Sequence, residues 1–205
     1  MSRCLTAAAS VVVALVVTVS GVGPGFAQQA PIVLKAGTAV GVSSPLNDAM
    51  TFFDKTLQEK SKGRMKIELH INNSIAKGEG AHLEGAQLGT IDVVAIGSAP
   101  IGGMFEPTYQ ALDLPFLWAS REQVWKVMDG PFGQDLLKKM DTKGVKAFCF
   151  GGGWGFRNMM SNKRPITTPE DMKGQTIRVQ ESPTYIAMMK GLGANPVPMP
   201  YVEVY

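Results

Sequence analysis

Two arginines are the residues best suited to chemistry in this 205-residue sequence. Arg178 stands in Gln175-Thr176-Ile177-Arg178-Val179-Gln180, where Ile177 and Val179 share one face and Thr176, Arg178 and Gln180 the other. That alternation predicts a strand, and a charged side chain in the middle of a covered strand is costly unless it is paired. A planar guanidinium offers two parallel hydrogen bonds to a carboxylate, which lysine cannot do. Arg157 follows the glycine-rich stretch Gly151-Gly152-Gly153-Trp154-Gly155. Both arginines could converge on an acidic ligand in a cleft, and the plain alternative is a structural salt bridge to Asp or Glu. Tyr201 follows the proline-rich approach Pro196-Val197-Pro198-Met199-Pro200 and could wall a pocket. Phe116, Trp118 and Trp154 read mostly as core, because aromatics dominate cores.

Other chemistries find little support. There is no serine-centred nucleophile elbow, no P-loop, and no G-x-G-x-x-G at a strand-to-helix turn. Gly151–Gly155 leads into Arg157-Asn158-Met159 rather than a capped helix, so it fails as a phosphate cradle. His70 falls on a strand's polar face and His82 on a helix, which favours surface or hydrogen-bonded roles over metal ligation. Cys4 would leave with an N-terminal leader, and Cys149, in the apolar run Val145–Phe150, reads as a buried small hydrophobe. No catalytic residue, metal or cofactor is expected.

The elements that must position the arginines alternate. Residues 32–36 predict a strand, Ser44-Pro45 a capped helix start, Leu46, Ala49, Met50, Phe53 and Leu57 its apolar stripe, and Gly63 its end. A strand over 65–71, a helix over 79–88 and an apolar strand over 91–96 follow, with Gly97–Pro100 as a loop. Helices are predicted from Ser120 with Gln123 as capping-box partner and from Pro131, then a strand over 145–150. Beyond the glycines come a strand-like piece over 156–161, a short capped helix over Thr168, Pro169 and Asp171, the Arg178 strand, and a helix from Ser182-Pro183 to Met189. Such alternation argues for an α/β fold with largely parallel sheets flanked by helices.

The N-terminus carries Arg3, an apolar run Ala7–Val19, and small residues at Gly25 and Ala27 that fit a signal-peptidase site. Cleavage near Ala27 is expected, with an exported product that is not itself membrane-embedded, since the run is short for a bilayer span. Formal net charge is +3, and removal of Arg3 leaves about +2. So small an excess argues against nucleic-acid or membrane-surface partners. The chain stops at Tyr205 in what reads as the first turn of a helix, so a fragment is expected.

From residue 156 onward a family pattern emerges. Gly155-Phe156-Arg157, Ser161-Asn162-Lys163-Arg164-Pro165-Ile166, Thr168-Pro169-Glu170-Asp171-Met172-Lys173-Gly174, Ile177-Arg178-Val179, Leu192-Gly193-Ala194-Asn195-Pro196-Val197-Pro198-Met199 and Glu203-Val204-Tyr205 occur in order. Upstream stand Leu88-Gly89-Thr90-Ile91-Asp92 and Leu114-Pro115-Phe116. Together they resemble the DctP family, the extracytoplasmic solute-binding proteins of TRAP transporters, over about residues 31–205. The resemblance implies a two-lobe periplasmic-binding-protein fold, incomplete in this chain. Residues 1–27 would be the signal peptide, 28–150 the first lobe, and 151–205 the crossover and start of the second. It further implies a periplasmic protein that captures a small carboxylate and delivers it to membrane permease subunits. Arg178 would pair with the ligand carboxylate, Arg157 would be the second arginine, and Tyr201 an aromatic wall. Relatives that take sialic acid carry a glutamate near the loop after the third strand; here that loop reads Ala95-Ile96-Gly97-Ser98, with no acid. A ligand sensor for a receptor, and a secreted enzyme with its catalytic residues further downstream, are the alternative readings.

Overall fold

The computed structural model describes residues 30–152 and 155–204. The readings on residues 1–27, Gly153, Trp154 and Tyr205 lie outside them. From Pro31 onward the chain forms one compact unit, an α/β arrangement with parallel strand pairs joined through helices.

The first sheet has the order β2-β1-β3. Strand β1, Ile32–Gly37, lies between β2, Met65–His70, and β3, Val93–Val94, parallel to both. Helix α1, Pro45–Ser61, links β1 to β2, and α2, Gly78–Leu88, links β2 to β3. The predicted start of α1 holds: Ser44 Oγ accepts the Leu46 N–H at 3.3 Å and Pro45 opens the helix. Its end comes one residue early, with Lys62 at φ 54° and Gly63 at φ 76°, and the Gly63 N–H closes onto the Gln58 carbonyl at 2.8 Å. Met50, Phe53 and Leu57 of the predicted stripe pack on Ala36 and Ile67 of the sheet.

Four sequence expectations change here. The apolar run 91–96 contributes only Val93–Val94 to the sheet. The expected loop Gly97–Pro100 instead opens helix α3, Ser98–Met104, which runs into a 3-10 helix, Pro107–Asp113. The run 145–150 forms no strand, because no described strand pairs with it to complete a backbone ladder. Part of the run still packs on the core. Val145, Ala147 and Phe150 cover Leu83, Tyr109, Leu136 and Met140, while Phe148 and Cys149 are exposed. Cys149 is therefore not the buried hydrophobe its neighbours suggested. Between these regions lie α4, Arg121–Met128, and α5, Pro131–Asp141. Ser120 Oγ accepts the Gln123 N–H as predicted, and Gln123 Oε1 reaches back to the Ala119 N–H.

The second sheet pairs β4, Thr176–Val179, with β5, Asn195–Pro198, in parallel, bridged by α6, Pro183–Gly191. The sequence reading did not anticipate β5, because prolines weaken a strand signal. The proline phase reconciles them. Asn195 and Met199 donate their N–H groups to Gln175 and Val179 of the β4 side at 2.8 and 3.1 Å. Pro196 and Pro198 fall on the alternate positions, whose nitrogens point away from β4. The predicted start of α6 at Ser182-Pro183 holds, though Ser182 is fully buried and its side chain makes no cap hydrogen bond. The strand-like piece 156–161 is irregular. Met172, Val179, Tyr185, Met189 and Ala194 form the core, joined by Ala99 of α3.

The short capped helix before β4 is a 3-10 turn, Pro169–Met172. Asp171 Oδ2 accepts from the Thr167 and Thr168 N–H groups, both at 2.9 Å, and from their hydroxyls at 3.0 and 3.1 Å. Those donors, the backbone ones foremost, hold the Asp171 carboxyl down at about 2. Folding thus favours the ionised form. Its contribution is complete above the unfolded value of 3.8 and disappears as pH falls through about 2. Asp171→Asn should be less stable than wild type at neutral pH, with the gap closing across that window. Thermal unfolding of both proteins at stepped pH reads this out. A gap that does not change with pH would show that the carboxylate is not the group responsible.

Candidate functional site

The C-terminal end of β4 gathers side chains from distant parts of the chain. Arg178, half-buried in mid-strand, donates from Nε and Nη2 to the Met199 carbonyl just past β5, at 2.9 and 2.6 Å. Its Cζ lies 5.8 Å from the Tyr201 ring centre, within cation–π range. Tyr201 itself is 53% exposed and begins a 3-10 turn, Tyr201–Glu203. The salt-bridge alternative for Arg178 is not what the structure contains. Among the described residues no ion pair uses Arg178 or Arg157. A neutral carbonyl orients the Arg178 guanidinium without neutralising it, and among the described residues nothing hydrogen-bonds to Nη1.

Arg157 is exposed, and two contacts place it. Its Nη2 donates to Gln180 Oε1 at 2.7 Å, and its Cζ stands 4.8 Å from the Tyr185 ring centre. Tyr185 is fixed in turn, its hydroxyl donating to Asp113 Oδ1 at 2.7 Å, where Ser98 Oγ also donates at 3.0 Å. Burial, then the Asp113 charge, pushes the Tyr185 hydroxyl up to about 12. Burial likewise raises the Asp113 carboxyl, against the hydrogen bonds from Tyr185 and Ser98 and the charge of Arg157.

Glu79, in the first turn of α2, completes the cluster. Its Oε1 accepts the Gly97 N–H at 3.0 Å and its Oε2 the Gln180 amide at 3.4 Å. Burial raises its carboxyl above the ordinary range. The Gly97 and Gln180 hydrogen bonds oppose that rise, as do the charges of Arg178 and His82. The Ala95–Ser98 loop, which has no acid of its own, thus meets one brought by the helix. For Arg178, burial lowers the pKa first, then repulsion by Arg157, with Glu79, Glu181 and Tyr201 pulling the other way. Two cations thus share this region, and among the described residues neither is ion-paired to a carboxylate.

Arg178, Arg157 and Tyr201 are therefore brought to one region. Glu79, Asp113, Gln180 and Tyr185 were missed as site residues. Gln180 carried a signal, since it shares the polar face of its strand with Arg178 at a two-residue spacing. Of the aromatics expected in the core, Trp118 is half-buried and donates to the Leu112 carbonyl at 2.9 Å. Phe116 is 96% exposed at φ 59°. His70 stands beside Glu68 at 3.1 Å, and His82 is buried with Nδ1 2.8 Å from the Gly78 carbonyl. Among the described residues no three His, Cys, Asp or Glu side chains cluster as metal ligands, and no helix is long and apolar enough to cross a membrane.

The family model DctP, bacterial extracellular solute-binding protein, family 7, matches residues 36–205. The chain belongs to the DctP family. Among its relatives, the 2,3-diketo-L-gulonate-binding periplasmic protein YiaO of Escherichia coli is 37% identical over 153 residues, covering 75% of this chain and 46% of that protein. The C4-dicarboxylate-binding periplasmic protein DctP of Rhodobacter capsulatus is 31% identical over 175 residues, covering 85% and 52%. A TRAP periplasmic solute-binding protein from Polaromonas, solved with bound D-erythronate, superposes with a TM-score of 0.80 at 34% identity, covering 84% of this chain and 56% of that one. This DctP-family chain spans about half the length of these relatives.

Proposed function

We propose that this DctP-family protein is a periplasmic solute-binding protein that captures a small organic acid and delivers it to the membrane subunits of a TRAP transporter, without catalysing a reaction. The observation that carries the reading is the pair Arg178 and Arg157, oriented by a carbonyl and an amide rather than by a carboxylate. A ligand carboxylate laid against the open edge of Arg178 would take a bidentate pair of hydrogen bonds, with Arg157 supplying a second cation. Tyr201 would then wall the site. In this reading residues 28–150 form the first lobe, and residues 151–205, beginning with the glycine-rich stretch, form the crossover and the start of the second lobe. Closure of the lobes on the acid would give the permease a surface to recognise. A signal peptide cleaved near Ala27 would place the protein in the periplasm.

The relatives' ligands, a diketo sugar acid, C4-dicarboxylates and erythronate, define the panel to test. A ligand that binds only the folded state must raise the melting temperature, by an amount that grows with concentration over Kd. The full-length protein screened against aldonates, uronates, 2-oxo acids and dicarboxylates should show a shift with one class. A folded protein that responds to none of them would end the carboxylate reading.

A further inference from the structure

We infer that Glu79 is a positioning residue for Arg157, acting through Gln180, and that the protein releases its acid when this carboxylate takes up a proton. The inference rests on the ligand-binding role proposed for Arg157. An ionised carboxylate can only accept hydrogen bonds, so Glu79 fixes which end of the Gln180 amide faces it. The Gln180 Nε2 points to Glu79 Oε2 at 3.4 Å, and its Oε1 is thereby left to accept from Arg157 at 2.7 Å. The reversed amide would set oxygen against carboxylate and NH2 against guanidinium, unfavourable at both ends. The relay from Gly97 through Glu79 and Gln180 to Arg157 therefore has a direction. It begins on a backbone N–H of the α2–α3 region, which anchors Glu79 at 3.0 Å. It ends on an exposed arginine whose other support is the face of Tyr185.

Protonation undoes that direction. A hydroxyl on Oε2 faces the Gln180 NH2, donor against donor. Turning the amide relieves this clash and points NH2 at Arg157 instead. The groups that face Glu79 are the Gly97 N–H, the Gln180 amide, Arg178 on β4, and His82 one turn along α2. Arg178 and His82 favour the charged carboxylate. Burial outweighs them, so the proton arrives above the ordinary value of 4.5.

The experiment is acid affinity against pH, by calorimetry on the full-length protein, using the acid that gives the largest thermal shift. Wild type should bind with constant affinity near neutrality and weaken on acidification, with a midpoint above 4.5. Glu79→Gln cannot titrate, and its own amide favours the turned Gln180. It should bind at least roughly tenfold more weakly at neutral pH, the low end of what losing one charge-assisted contact costs, and its acid limb should be missing. Gln180→Leu, at a half-exposed position and so safer for folding, should reproduce both effects. Adding Arg157→Ala to Glu79→Gln should cost little more, since the two act as one unit. Wild-type affinity with an intact acid limb in either single variant, or additive losses in the double variant, overturns the relay. A ligand-free readout separates this from failure of the function. In 15N NMR, the Arg157 Nε resonance should move with the Glu79 titration in wild type and stay still in Glu79→Gln. That coupling in a protein that binds no acid would overturn the binding role alone. Acid binding without the coupling would overturn the relay alone.

Discussion

Replacing Arg178 with alanine should weaken acid binding by about 2–5 kcal/mol, a loss of roughly thirty-fold to several-thousand-fold, the cost of leaving a desolvated charge unpaired. The size follows from its setting. The side chain is half-buried, and its Nε and one Nη2 hydrogen are spent on the Met199 carbonyl. What remains is an oriented edge that a carboxylate meets without first having to order it. Arg178→Lys keeps the charge but has a point donor in place of a fork, so it should recover only a minor part of the affinity. Calorimetry with the acid from the thermal screen measures both variants. Equal affinity in wild type and Arg178→Ala would remove this residue from the site. A lysine variant as tight as wild type would show that charge alone holds the ligand. A lowered melting temperature in Arg178→Ala without ligand is also expected, because the Met199 carbonyl loses both its donors.

Leu136→Ala should cost about 2–5 kcal/mol of stability, with a fall in melting temperature of roughly 10 °C for a domain of this size. Leu136 is 1% exposed and packs with Leu83, Tyr109 and Met140. Its carbonyl also accepts the Tyr109 hydroxyl at 3.1 Å, so the backbone at this point is held and cannot move in to fill the void. Leu136→Met, which nearly conserves volume, should cost less than about 1.5 kcal/mol. Denaturant melts of the two variants separate cavity formation from a general intolerance of change. Similar losses for both would mean that shape rather than volume is being read.

Where the sequence foretold the structure, the signal was local. Ser44-Pro45, Ser120 with Gln123, and Thr168-Pro169 with Asp171 announce helix starts through hydrogen bonds spanning two to four residues, and all three starts are present. Ile177 and Val179 against Arg178 and Gln180 gave the polar face of β4 from its period alone. What escaped depends on partners far along the chain. The 145–150 run has the composition of a strand, but a strand exists only where a neighbour supplies the other half of the ladder. Helix α3 was hidden by Gly102 and Gly103, poor helix formers. Those same glycines allow the helix to lie close, since a Cβ on either would come within 2.8 Å of backbone atoms of Gln110 or Glu181. Glu79 and Gln180 are 101 positions apart, and no spacing rule links them. The two arginines were singled out from the sequence; the buried acids around them, Glu79 and Asp113, were not.

Pro196 and Pro198 make the second sheet grow one way only. Every nitrogen that would face outward from β5 belongs to a proline, so that flank offers an incoming strand acceptors but no donors. A further strand can be added only on the far side of β4. An unfolded or half-folded neighbour cannot zip onto the blunt flank. The same two residues that obscured this strand in the sequence also protect it from its own copies.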